Sequence, residues 1–242
     1  MVNTIDRSSP IPLHYQLKQV LLEKIESGDW KPEDMIPTEQ ELQNTFGISR
    51  TTVRQTLGEL VFEGRLIRER GRGTFVAQPK MTHSPREHMS LTETLKAQGI
   101  KPGWDILDTH WITPVKDVRE QLQLPEGARV YQIRRVRLAG EKPIGYHIAY
   151  IPEMVAEQIN HDMLTTGGSL NYLRGVGLMH ESLAKRTIEA LAASQTEAKY
   201  LHIDPGSPVL LISRVVISAT GMPIEYMQAS YRGDRFKYQI ND

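Results

Sequence analysis

Arginine is the residue type that gives this chain its chemistry, and it comes in two settings. Arg50 and Arg54 stand four apart in FGISRTTVRQTL, beside Thr51 and Gln55, and Arg68, Arg70 and Arg72 crowd the following LIRERGRGTF. A guanidinium is a planar fork of N–H donors suited to phosphate oxygens and to the O6/N7 edge of guanine, while Thr and Gln can bond either bases or phosphate. The second setting is VYQIRRVRL, residues 130–138, where Arg135 and Arg137 sit among Val, Ile and Leu. Strand side chains alternate, so Tyr131, Ile133, Arg135 and Arg137 share one face, and Gln132, Arg134, Val136 and Leu138 the other. If the arginine face is covered, each guanidinium needs an anion, because an unpaired buried charge is very unfavourable. Internal carboxylates and an anionic ligand would serve equally, and the strand does not decide between them.

Bond-making chemistry finds little support. The eight histidines form no HExxH or other close pair, and the absence of cysteine removes thiolate metal sites and disulfides. Ser182-Leu-Ala-Lys185 matches a short nucleophile pattern but falls in a strand-like stretch with no partner motif. Gly71 and Gly73 are spaced like part of a phosphate loop, yet strand-like segments flank them and no helix follows. The expectation is a binding protein with no cofactor and no metal.

The first arginine set is positioned by the stretch Ile36 to Ala77. Thr38 and Glu41 have capping-box spacing, Leu42 and Phe46 supply an apolar stripe, and Gly47 stops the helix. Ser49 can cap the next helix, where Val53, Leu57, Leu60 and Val61 bury one face and leave Arg50, Thr51, Arg54 and Gln55 on the other. After Gly64, residues 66–68 and 74–76 read as a hairpin around a cationic tip at 69–73, a wing. A packing helix precedes, with Leu13, Leu17, Val20, Leu21 and Ile25 at helical spacing before Gly28. This order predicts a winged helix-turn-helix, the alternative being an ordinary packing module with a solvated basic loop. The residues expected at DNA are Thr38, Glu39, Ser49, Arg50, Thr51, Thr52, Arg54, Gln55, Arg70, Gly71, Arg72, Gly73 and Thr74.

The second set is positioned by a separate domain. Residues 78–86 lack apolar periodicity and hold two prolines, which reads as a linker between domains at 1–77 and 87–242. Ser90 and Glu93 then have capping-box spacing ahead of a helix ending at Gly99. The free amides of that end, with the Ser90 and Thr92 hydroxyls, could bind an anion, or Ser90 could simply cap its helix. Strands are expected near 104–112, 130–138, 143–151, 183–191, 209–217 and 224–232. Helices are expected near 115–122, 153–159 and from Ser194, with another helix start at 169–174. The sum is an α+β domain built on an antiparallel sheet.

With 242 residues, 39% hydrophobic and 24% charged, the chain is long enough for two folded domains. The formal charge is zero overall but uneven: residues 1–49 carry four basic against eight acidic side chains, residues 50–80 seven against three. DNA binding concentrated on the basic segment should therefore depend on salt. No basic stretch leads an apolar core at the N-terminus, and the run 208–217 is interrupted by Arg214, so neither export nor membrane insertion is expected and a cytoplasmic location is.

PTEQEL, FGISRTTVRQTL and EGRLIRERGRGTFVA, with PLHYQLKQVLLEKIESGDW ahead of them, resemble the winged helix-turn-helix of the GntR superfamily of bacterial repressors. RRVRLAGEKPIGYHIAYIP, TIEALAAS and GMPIEYMQASYRGDRFKY resemble the UTRA effector-binding domain of its HutC subfamily, a fold similar to chorismate lyase that binds ligands and catalyses nothing. In sugar-phosphate-sensing members, the resemblance implies, the phosphate is held at Ser90, Leu91 and Thr92, at Arg135 and Arg137, and at Ser169, and the sugar at Glu225 and Tyr231. Two positions depart: His147 stands where those members usually carry Glu, and Asn171 where they often carry Tyr, which opens the sugar side to a different ligand.

The expected molecule is a homodimeric regulator, a repressor that leaves a palindromic operator when a phosphorylated small metabolite such as a sugar phosphate binds. A carboxylate such as urocanate is the alternative effector, and a DNA-tethered lyase-like enzyme the alternative function.

Overall fold

The computed structural model describes residues 5–69, 71–78, 80–83, 91–173 and 183–239, and the chain divides into two compact units, Met1–Pro79 and Lys80–Asp242.

In the first unit, helix α1 (Leu13–Glu26) turns Leu17, Val20 and Leu21 inward. Helix α2 (Glu39–Phe46) starts at a reciprocal cap: the Thr38 hydroxyl accepts from the Glu41 amide at 3.3 Å, and the Glu41 carboxylate accepts from the Thr38 amide at 2.7 Å. It ends at Gly47 with φ 64°, a left-handed conformation that glycine adopts without a Cβ penalty. Helix α3 (Arg50–Phe62) is capped by Ser49, whose hydroxyl accepts from the Thr52 amide. Leu17, Leu42, Val53, Leu57 and Leu60 close one core with Ile36, Leu66 and Val76. Strands β1 (Leu66–Glu69) and β2 (Gly73–Val76) form the antiparallel wing, in register from Leu66↔Val76 to Glu69↔Gly73. The wing has a third edge that sequence reading did not anticipate. The Ile36 amide donates to the Thr74 carbonyl and the Val76 amide to the Asp34 carbonyl, both at 2.9 Å, so the segment leading into α2 lies along β2.

The second unit runs β3 (Met81–His83), α4 (Leu91–Ala97), β4 (Pro102–Ile112), α5 (Lys116–Gln121), β5 (Val130–Ala139), β6 (Lys142–Pro152) and α6 (Glu153–Ala156). Two 3₁₀ turns, His161–Thr165 and Asn171–Leu173, precede β7 (Leu183–Ala192), α7 (Gln195–Leu201), β8 (Pro208–Ile217), β9 (Pro223–Arg232) and β10 (Phe236–Tyr238). Six strands make an antiparallel sheet in the order β4-β5-β6-β9-β8-β7, while β3 and β10 pair in parallel. Part of the stretch read as a linker is thus a strand of this unit; Ser84 to Arg86 lie outside the described residues. The helix expected at 153–159 stops at Ala156, and that expected at 169–174 is a single 3₁₀ turn. Both are too short for apolar periodicity to fix their length. Register puts Arg135 opposite His147, Arg137 opposite Gly145 and also opposite Trp104, His147 opposite Ala229, and Met227 opposite Arg214. These positions share one sheet face with the main core of Ile133, Ala149, Ile212, Met227 and Ala229.

Candidate nucleic-acid interface and anion site

On the first unit the arginines are displayed. The Arg50 and Arg54 side chains are 71% and 61% exposed on the polar face of α3, with Thr51 and Gln55 also exposed. Glu39, at the start of α2, lies 3.5 Å from Arg50 Nε, 3.9 Å from Arg54 Nε and 3.5 Å from Arg68 Nη2. One carboxylate shared by three guanidiniums leaves positive charge in surplus. Ion pairs this exposed contribute about 0–1 kcal/mol, so the arginines can exchange Glu39 for a polyanion. Arg72 pairs with Glu69 and lies 5.7 Å over the Phe75 ring, on a tip where Gly71 (φ 75°) and Gly73 (φ 130°) hold conformations that favour glycine. Thr38 is occupied by its cap, Ser49 and Thr52 share a hydroxyl bond of 2.8 Å, and Gln55 donates to Glu59 at 3.1 Å. The Thr74 carbonyl takes the Ile36 amide. Arg70 lies outside the described residues.

On the second unit the arginines are enclosed. Arg135 and Arg137 are each 1% exposed, and Arg214 reaches the same place from β8. Trp104 from β4 lies 4.1 Å from the Arg135 guanidinium and 4.6 Å from that of Arg137, and the Tyr172 ring lies 4.7 Å from Arg135. Arg135 donates to the carbonyls of Leu164 (2.7 Å) and Ser169 (3.0 Å). Arg137 donates to the Thr92 hydroxyl (2.7 Å) and the Gly167 carbonyl (3.2 Å). Of the three, Arg214 alone has a carboxylate among the described residues: Nη2 is 2.7 Å from Glu225, whose other oxygen accepts from the Tyr172 hydroxyl, and Nη1 donates to Ser169 Oγ at 3.1 Å. Among the described residues, three buried guanidiniums therefore meet one buried carboxylate. Burial pulls the Arg135 pKa down, and it pulls that of Arg137 down to about 10, which leaves Arg137 charged at neutral pH. Burial acts on Arg214 in the same sense, but Glu225 and Tyr172 outweigh it and hold that guanidinium above its ordinary range.

His147 completes the cluster. It is buried edge-on between Trp104 (4.8 Å) and Tyr231 (5.2 Å), and among the described residues neither ring nitrogen has a hydrogen-bond partner. Burial first, then Arg135, Arg137 and Arg214, push its pKa well below the usual histidine range, so the ring is neutral at physiological pH. Tyr231 stacks on Phe236 at 4.1 Å, and Gly145 opposite it leaves room that a Cβ would fill to within 2.9 Å of the Tyr231 ring. The Gly167 carbonyl collects three donors, the Thr92 hydroxyl (2.8 Å), Trp104 Nε1 (3.1 Å) and Arg137.

Of the residues expected at an effector, Thr92, Arg135, Arg137, His147, Ser169, Glu225 and Tyr231 come together here. Asn171 sits beside them and bonds Thr166 Oγ1 at 3.1 Å, and its amide lies 2.7 Å from where a Gly167 Cβ would be, so it braces the loop. The Leu91 side chain packs in the core, and Ser90 lies outside the described residues. Sequence reading missed Trp104, Tyr172 and Arg214. Only Arg214 carried a signal, a charge inside an apolar strand, the same signal that singled out Arg135 and Arg137.

Among the described residues no group of three or more His, Cys, Asp or Glu could hold a metal ion, and no helix is long and apolar enough to cross a membrane. Residues 13–76 match the family of bacterial regulatory proteins called gntR, and residues 97–237 match the UTRA domain. The chain is 36% identical over 234 residues to the HTH-type transcriptional repressor NagR of Bacillus subtilis, covering 97% of this chain and 96% of that one. It is 32% identical over 233 residues to the histidine utilization repressor of Klebsiella aerogenes, covering 96% and 95%. Among solved structures, PhnF from Mycobacterium smegmatis superposes with a TM-score of 0.60 at 27% identity, over 96% of this chain and 99% of that one.

Proposed function

From the premise that this chain belongs to the GntR family, in its HutC subfamily, and is a DNA-binding transcriptional regulator and not an enzyme, we propose that it is a repressor released from its operator by a phosphorylated small metabolite. Arg50, Arg54 and Gln55 read base edges in the major groove, and Arg72 on its glycine-flanked tip reaches phosphates or the minor groove. Two copies bind the half-sites of a palindrome.

The observation that carries the effector class is the charge imbalance at the second site. Among the described residues, three buried guanidiniums against Glu225 leave two positive charges without a carboxylate. A phosphate monoester brings close to two negative charges at neutral pH and three acceptor oxygens for the forks of Arg135 and Arg137. A monocarboxylate would cancel only one. Neutral His147, with both nitrogens free to accept or donate, faces the remainder of the ligand. Release follows if the effector favours a state of the dimer that misfits the operator, since only differential affinity shifts an equilibrium.

A second reading, a carboxylate effector such as urocanate, draws on the likeness to histidine utilization repressors and on an imidazole at position 147. Fluorescence anisotropy with duplexes flanking the gene, titrated with sugar phosphates and with urocanate beside a thermal-shift series, separates the two. Release and stabilisation by a phosphate ester are expected. A response to urocanate with none to any phosphorylated compound would overturn the phosphate assignment.

A further inference from the structure

Arg7 is the exception among the arginines of the first unit. The side chains of Arg50, Arg54, Arg65, Arg68 and Arg72 each lie within 3.9 Å of a carboxylate, whereas among the described residues Arg7 meets none. Instead its Nη2 donates to the carbonyl of Gly47, at the turn between α2 and α3. The segment that delivers it, residues 6–12, is fixed by a buried side chain of α1. Gln16 accepts from the Asp6 amide at 2.8 Å and donates to the carbonyls of Asp6 (2.9 Å) and Ile11 (2.7 Å). Asp6 could neutralise its neighbour, but its carboxylate turns back to the Ser8 amide (2.9 Å) and hydroxyl (2.6 Å). No residue from 6 to 12 is buried, so the segment spends conformational entropy without adding to the core. What it delivers is a charge, beside an open cleft of about 500 Å³ lined by Arg7, Ser9, Ser49 and Thr52 among others. Ser49 and Thr52 share one hydroxyl hydrogen at 2.8 Å, which leaves the other hydroxyl hydrogen free to donate.

We infer that this cleft seats a phosphate of the DNA backbone, with Arg7 as its charged partner and the Ser49–Thr52 pair as a second donor, at the rim of the major groove that α3 enters. This rests on the reading of α3 above and extends that surface to the segment ahead of α1. The occupant follows from continuity. Ser49 adjoins Arg50, and Gly47 precedes it by three residues, so a helix that reads base edges with Arg50 and Arg54 carries the cleft to the groove with it. The phosphates border a major groove about 12 Å wide on both sides, so donors flanking the first turn of a helix inside it lie against one of the two backbones. A guanidinium set against no carboxylate has no ion pair to break before it binds there, unlike Arg50, Arg54 and Arg68 around Glu39. Its contact fixes where the helix sits and carries no sequence information.

The test is fluorescence anisotropy of the full chain over a salt series, with duplexes flanking the gene and with a mixed-sequence duplex, and with circular dichroism melting alongside. Arg7→Gln should lower the slope of log affinity against log salt by about 0.9 for each bound copy, which is about eightfold in affinity per copy at about 0.1 M salt. The loss should be the same on both kinds of duplex, and Arg7→Lys, which keeps the charge, should retain most of the slope. A brace on the Gly47 carbonyl alone would move the melting temperature and leave the slope unchanged in both variants, which would overturn the phosphate contact. A loss confined to the flanking duplexes would make the contact one to bases and overturn it too. Arg54→Ala serves as the reference: if it weakens binding while Arg7→Gln does not, the cleft fails and the reading of α3 stands, and if neither changes DNA affinity both fail.

Discussion

The two arginine sets are one chemical group in opposite surroundings. Arg50 and Arg54 stand mostly in water around Glu39, whereas Arg135, Arg137 and Arg214 are sealed between Trp104, Tyr172 and the sheet with Glu225. Exposure decides what each charge does to the fold. A hydrated guanidinium adds almost nothing to stability and is free to trade partners, which suits a surface that must meet a polyanion and leave it again. A buried one lowers stability until an anion faces it, so binding and folding become the same quantity.

The sharpest break of this contrast is Glu225→Ala. It strips Arg214 and Tyr172 of their partner and should cost about 3–5 kcal/mol in urea unfolding of the second unit; an unchanged midpoint would mean that the buried charges are solvated after all. Next come two matched arginine replacements. Arg137→Met should leave the ligand-free protein as stable or up to about 1–4 kcal/mol more so, while abolishing the thermal shift given by the phosphate effector. Arg54→Ala should do the reverse, moving stability by less than about 0.5 kcal/mol and weakening operator binding by about 1–3 kcal/mol in anisotropy titrations. Identical behaviour of the two would dissolve the distinction. The smallest effect is a pH slope. Because His147 stays neutral in the folded protein, the unfolded chain takes up its proton first as pH drops below about 6.5. Stability present above that pH is then lost on acidification, by up to about 1.4 kcal/mol per pH unit. His147→Phe should flatten this part of the profile, and a parallel profile would assign the slope to other groups.

How much could be read from the sequence follows the same division. The reading head is legible because its instructions are local: Thr38 with Glu41 and Ser49 with Thr52 fix two helix starts within three residues each. The third edge of the wing is not, since residues 34–36 carry no strand pattern and are held by main-chain bonds to β2. In the second unit a charge inside an apolar strand is a local anomaly, which exposed Arg135 and Arg137 and would have exposed Arg214. Trp104 enters through strand register and Tyr172 through a 3₁₀ turn 35 or more positions from the residues it meets on β5 and β9. Such placements depend on pairing between distant segments, which spacing along the chain does not encode. The bracing part of Asn171 was hidden for the same reason, because it depends on the left-handed φ of 66° at Gly167.

That glycine's carbonyl has a last consequence. It is a dipole and not an ion, so in taking bonds from Thr92, Trp104 and Arg137 it satisfies their geometry without cancelling the arginine's charge. The Arg137 guanidinium is thereby held in one place with its charge uncancelled, so an anion meeting it there would cost little rotational freedom. Preorganisation of this kind favours tight capture by a small molecule that makes only a few contacts.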